Sequence, residues 1–306
     1  MGIGKYERRK RGYSLEKQKA KMGVLMLLPS LIIISFIILY PLISSFVFAF
    51  MKKPLGSMSN DKFIGLKNFA YIFIQPLFWK SLLNSTILTF ATVVLQTIFG
   101  MIIALLLNTS FKARGVIRGL FILPWATPAF VAAFAWSWMV DSQNGMINIL
   151  LKQFHLVKEG IPWLMQTNTA LFIVILAHIW KDIPWVIMIF LSGLQMVPVE
   201  SREAAKVDGA NIWKEFWYIT IPSMKSIIVI AILLRVIWTF KYFDLVKLLT
   251  GGGPLNSTMT IPIMIYQQAF ESNSLGRASA LGVILFVILG VFSFFYFKVL
   301  SKDGEA

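Results

Sequence analysis

Residues 195–225 read QMVPVESREAAKVDGANIWKEFWYITIPSMK, a polar and patterned stretch set between two apolar runs. Pro198 suits the first turn of a helix, and Glu200 and Glu203 lie where the positive helix end favours carboxylates. Gly209 is a natural stop, because glycine accepts the left-handed conformation past a helix end. Asn211 can cap a second helix through Trp213, Phe216 and Trp217, and Pro222 marks entry into the next apolar run. The stretch reads as helix, tight turn, helix. By pattern alone it fits either an amphipathic pair resting on lipid headgroups or a lever that meets a partner. Most links between packed elements are short, so a structured one this long calls for a reason.

Outward from it lie the apolar runs. A bilayer core about 30 Å thick needs about 20 apolar residues in a helix. Residues 23–51, 81–111, 119–140 and 278–297 carry no charge at all. Two further runs, 168–194 and the one beginning near 226, are interrupted by Lys181 and Asp182 and by Arg235. After Phe240 the last of these passes into a polar stretch with Lys241, Asp244 and Lys247, assigned to the outer side. The reading is an all-α membrane protein of six transmembrane helices. Composition agrees: 57% of the 306 residues are hydrophobic and 14% charged, where a soluble domain carries about 25% charged. Arg8, Arg9, Lys10 and Arg11 precede the first run, but the run exceeds the roughly 7–15 residues of a secretory signal. It is expected to be a retained helix.

The expected organisation is a basic inner segment at 1–22, a first span at 23–51 and an outer loop at 52–80. A five-helix core follows at 81–300, with the inner loop at 198–222 and a tail at 301–306. Lysine and arginine set the orientation. The segments on the N-terminal side of the membrane hold 17 of them and the opposite segments 10, although the former are shorter in total. Both termini are therefore expected in the cytoplasm.

Several function classes fall away. Cysteine is absent and only His155 and His178 represent histidine, which removes thiolate chemistry and argues against histidine-rich metal sites. The net charge of +15 follows membrane topology and shows no basic face with stacking aromatics, so no nucleic-acid partner is expected. Gly251-Gly252-Gly253-Pro254 lacks the lysine of a phosphate loop and reads as a turn on the outer face. There is no H-E-x-x-H and no G-x-S-x-G. A secondary transporter is the alternative, but the two halves show no repeat and it leaves the inner loop unexplained.

Glu203-Ala204-Ala205, then Gly209, then nine residues to Ile219 and Ile221-Pro222, resembles the "EAA" loop of binding-protein-dependent ABC importer permeases. Asp208 and Ala210 fit the usual form, and Ile-Pro replaces the commoner Leu-Pro. Phe240 to Pro254 (FKYFDLVKLLTGGGP), followed by Asn256-Ser257-Thr258, is similar to the segment after span five in sugar permeases of the maltose and glycerol-phosphate type. Phe63-Ile64-Gly65-Leu66 with Lys67, Asn68 and Phe69 matches in the first outer loop, as do Leu123-Pro124 and Pro128 in span three.

The resemblance implies a type I ABC importer permease fold in a bacterial or archaeal cell membrane. It implies a heterodimer with a second permease subunit, two cytoplasmic ATPase subunits and an extracytoplasmic sugar-binding protein. ATP and magnesium would be bound by the ATPases, with no cofactor in this chain and no catalytic residue. Glu203, Ala204, Ala205, Asp208 and Gly209 would form the contact with the ATPase. Solute contacts would fall at Trp125 and Ala129, at His178, Lys181, Asp182 and Trp185, and at Trp238, Thr239 and Tyr242. Positions 178, 181, 182 and 185 share one face at helical spacing. Ionisable groups inside a span are functional candidates by default, and indole faces suit sugar rings. Lys181 and Asp182 together suit an oligosaccharide or charged sugar. Trp136, Trp138 and Trp163 read as interface anchors, and Arg235 as a partner or lipid contact or a path residue.

Overall fold

Helix formation begins well before the first apolar run. In the computed structural model, which describes residues 3–56 and 61–303, α1 spans Ile3–Ile34. A π-helical turn at Ser35–Leu39 leads into α2, Tyr40–Ala49. The stretch Lys19–Ala49 has the length and apolarity to cross a membrane, yet its most apolar window is wholly exposed within the chain. A helix that is apolar all round and touches little needs lipid or another chain.

Residues 57–60 of the expected outer loop lie outside the described residues. Around them β1, Met51–Lys52, pairs antiparallel with β2, Lys62–Phe63. Then α3, Lys67–Ile74, carries buried Asn68, whose amide donates to the carbonyls of Ala49 and Met51, both at 2.9 Å. This side chain ties the end of the first span to the rest.

The core is built on α4, Pro76–Asn108, which begins five residues ahead of its charge-free run. At about 1.5 Å per residue it outreaches the hydrocarbon layer. Ser85, Thr89, Thr92 and Gln96 recur at helical spacing and are all buried. Small and polar residues on one face let membrane helices approach closely. At Gly100 the approach is tightest: a Cβ there would lie 2.8 Å from Cγ1 of Val186 on the facing helix.

The run 119–140 is not one straight helix. It forms α5, Arg114–Ala126, and α6, Ala129–Met139, bent 95° apart. Pro128 disfavours helix at the residue before it, and Thr127 is extended (φ −68°, ψ 128°). Apolarity alone does not register such a break. Beyond it, Asp141 accepts from the backbone N–H groups of Asn144 (2.8 Å) and Gln143 (3.0 Å), which holds its carboxyl below the usual range. On α7, Met146–Gln153, the buried Asn148 joins the carbonyls of Asp141 and Ile161 to the Trp163 indole N–H. Trp163 is thus a bonded part of the segment between α6 and the next span.

The fourth span is α8, Thr167–Leu194, packed along α4. Next come α9, Val199–Val207, and α10, Ile212–Glu215, a π turn at Phe216–Thr220 and α11, Ile221–Ser223. Met224 links these to α12, Lys225–Phe240. The polar stretch that follows is no peripheral loop: α13, Asp244–Leu249, buries Leu245 and Val246, and α14, Ile261–Tyr266, buries Ile261 and Ile263. Lys80, Asn84 and Ser85 at the head of α4 hold the connection between them, bonding Leu255, Asn256, Met259 and Ile261. A π turn at Gln267–Glu271 precedes the last span, α15, Leu275–Asp303. Among the described residues five helical stretches can cross a membrane, and the bent α5–α6 pair makes a sixth.

Candidate functional site

Four polar side chains from three spans meet in the apolar interior. His178 Nε2 and Asp182 Oδ2 are 2.9 Å apart on successive turns of α8. Arg235 of α12 donates through Nη2 to the same Oδ2 at 3.2 Å and through Nε to Gln96 Oε1 of α4 at 3.0 Å. The Gln96 amide closes the circuit on the His178 carbonyl at 3.2 Å. Tyr242 stacks on the His178 ring at 4.1 Å between centroids, and Thr239 lies 3.5 Å from Arg235. All but Tyr242 are buried. Charges inside a membrane protein persist when paired and hydrogen-bonded, and here each finds its partner within the chain. The charges of Asp182 and Arg235 are therefore spent on each other.

Lys181, the next residue along, points elsewhere. Its Nζ donates to the Thr127 carbonyl at 2.7 Å and reaches the Trp125 carbonyl at 3.5 Å, at the break between α5 and α6. The four α8 positions thus do not share one task. Trp185 instead packs edge-on against Trp238, centroids 4.9 Å apart. Trp125, 54% exposed, and Trp238, 37% exposed, present indole surface outside the core, and Ala129 is half-buried at the start of α6. Trp136 packs against Trp180 at 6.3 Å, and Trp138 is exposed.

Gln96 is the uncharged member of this group, so no charge in an apolar run marks it out. Its signal was present: it closes the stripe Ser85, Thr89, Thr92, Gln96 on one face of an otherwise apolar run.

The second group of candidates lies at the far end of α12. Gly209 takes φ +78°. Ala210 N–H bonds the Ala205 carbonyl at 2.9 Å and Gly209 N–H bonds Lys206 at 3.1 Å, the pair that closes a glycine-terminated helix. Pro198 sits one place ahead of α9, at its N-cap. Asn211 accepts from Lys214 N–H at 2.9 Å and so caps α10 as its sequence suggested. Arg202 Nε pairs with the buried Glu215 at 2.5 Å and clasps the two helices together. Glu203 and Ala204 are exposed on α9, as is Asp208 at its C-cap, and Ala205 is half-buried. Val207, Ile212, Trp213 and Tyr218 are also largely exposed.

Residues 96–303 match the family model of the binding-protein-dependent transport system inner membrane component. The chain is 32% identical over 285 residues to the trehalose/maltose transport system permease protein of Thermococcus litoralis, covering 93% of this chain and 95% of that one. It is 34% identical over 283 residues to the sulfoquinovosyl glycerol transport system permease protein of Agrobacterium fabrum, covering 92% and 91%. Its fold matches a chain in the crystal structure of a bacterial ABC transporter involved in the import of the acidic polysaccharide alginate. The TM-score is 0.82 at 20% identity over 95% of this chain and 98% of that one. That likeness gives the fold, a type I ABC importer permease. The bonded core, the clasped loop on α12 and the match over two thirds of the sequence converge: this chain belongs to the binding-protein-dependent transport system inner membrane components.

Proposed function

We propose that the chain is one of two permease subunits of an ATP-driven importer that carries a sugar or oligosaccharide handed over by an extracytoplasmic binding protein. The observation that carries this reading is the preformed, exposed helix–turn–helix at 198–223, which runs without a flexible link into α12. Arg235 lies ten residues beyond Lys225, about 15 Å along the helix, so a push on α9 is delivered directly to the bonded core. Two cytoplasmic ATPase subunits, binding ATP and magnesium, supply that push. Glu203, Ala204, Ala205 and Asp208 meet the ATPase, and Gly209 sets the bend. The relatives named for trehalose, maltose and sulfoquinovosyl glycerol favour a sugar. The exposed indoles of Trp125 and Trp238 suit sugar rings, since they are amphipathic surfaces free to stack. Both termini and the 198–223 loop face the cytoplasm in this reading.

Gly209 has open space where a Cβ would go, so a substitution there acts on the backbone and not on packing. Holding a non-glycine left-handed costs about 1–2 kcal/mol. Gly209→Val, β-branched, is expected to shift the turn and lose co-purification with the ATPase subunits and solute uptake. Gly209→Asn, which tolerates the conformation, is expected to keep most of both. Full ATPase association and uptake in Gly209→Val would remove the coupling role from this loop.

A further inference from the structure

The broken third span creates a problem that its own residues solve only in part: Thr127 N–H and Oγ1 serve the carbonyls of Leu123 and Pro124, but those of Trp125 and Thr127 need a donor from elsewhere. Helix α5 ends at Ala126 and α6 starts at Ala129 at 95° to it. Pro128 brings no N–H, and the final carbonyls of any helix lack intrahelical donors. Hydrocarbon offers no water to satisfy them, so irregular backbone within a membrane persists where protein supplies the missing partner or where a water-filled cavity does.

The partner here is Lys181. Its Nζ reaches the Thr127 carbonyl at 2.7 Å and the Trp125 carbonyl at 3.5 Å, and the residue is 8% exposed. An ammonium has three donors, and a cation is favoured at the negative end of a helix dipole. Asp182 is engaged by His178 and Arg235, so the lysine's neighbour in sequence is committed elsewhere. The support behind Lys181 is firm: α8 buries Ala177, His178, Asp182 and Val186 against the core around it.

We infer that Lys181 is a positioning residue, whose ammonium caps the carbonyl end of α5 and fixes the bend that displays Trp125. It makes no contact with the solute. The tryptophan whose carbonyl it approaches is the one whose indole stands 54% exposed, so the same bond that satisfies the break also aims the ring. The charge in span four is thus assigned to shape, and it gives no ground for expecting a charged sugar.

The absence of cysteine permits a direct test. Cysteines replace the exposed Leu120 on α5 and Met188 on α8, and spin labels report the distance between them in the assembled transporter in lipid. Lys181→Met is expected to broaden and shift that distribution, and Lys181→Arg, which keeps donors at the helix end, to retain it. With maltose and trehalose as probes, the maximal uptake rate of Lys181→Met should fall on the order of tenfold, a usual size for coupling through positioned residues. Its KM and its ranking of the two sugars should change less than about twofold, since no binding contact is removed. An unchanged distance distribution in Lys181→Met overturns the inference, as does a changed sugar ranking. If the Met variant does not accumulate, Lys181→Gln, uncharged and shorter, is measured in its place against the same two outcomes. The inference rests on the sugar reading only in its uptake arm; the distance arm needs no solute, so failure of one does not mimic failure of the other.

Discussion

Asp182 is the residue on which three spans close. It holds His178 on its own helix and Arg235 on α12, while Arg235 in turn reaches Gln96 on α4. Removing one member of a buried pair leaves the other charge uncompensated, which costs about 3–5 kcal/mol. Arg235→Met is therefore expected to lower the thermal unfolding midpoint of the purified protein sharply. The double variant Arg235→Met with Asp182→Asn should recover much of the loss, because no unpaired charge remains. Equal midpoints for the single and double variants would mean that the pair is not what matters there. The sequence marked His178, Asp182 and Arg235 as costly residues in apolar runs, and that reasoning needs only composition. It did not separate Lys181 from Asp182, because adjacent residues on a helix point in different directions by an amount that spacing gives but partners decide. Nor did it link Arg235 to Gln96, a bond across 139 positions that depends on how the helices cross.

Elements show a similar division. The 198–223 loop was legible in detail because its signals are local: Gly209, Asn211 and Pro222 each act within a turn of themselves. The break in the third span was half legible, since Pro128 restricts Thr127 by sterics, but a 22-residue apolar run looks the same bent or straight. The α13–α14 segment is outer and polar by its sequence, yet Leu245, Val246, Leu249 and all four residues from Ile261 to Met264 are buried, and Ile261 bonds Ser85 at the head of α4. Helix contact itself yields a prediction. At Gly100 a Cβ would come within 2.8 Å of the branched Val186, whereas at Gly193 the nearest atom, also at 2.8 Å, is the flexible end of Met224. Gly100→Ala should cost about 1–3 kcal/mol by overpacking the α4–α8 contact. Gly193→Ala should cost less, because a methionine end can swing aside. Thermal midpoints of the two variants compare them directly, and the reverse order would contradict the packing described.

At the scale of the molecule, one device connects these parts. A clasped loop, held by Arg202 and Glu215, continues into α12, and α12 is bonded to α8 and α4 at Arg235. Displacement at the loop must carry those helices with it, because a packed and bonded core moves as a body. In the proposed reading, this is the route by which force from the ATPase subunits enters the bundle. All of this requires the loop to be on the ATPase side. A single cysteine at Val207, 88% exposed on α9, and another at Met165, 81% exposed beyond α7, provide the decisive pair. Treated on intact cells with a membrane-impermeant maleimide, the Met165→Cys protein should be labelled, and the Val207→Cys protein should label only after the membrane is opened. Labelling of Val207→Cys on intact cells would contradict the account.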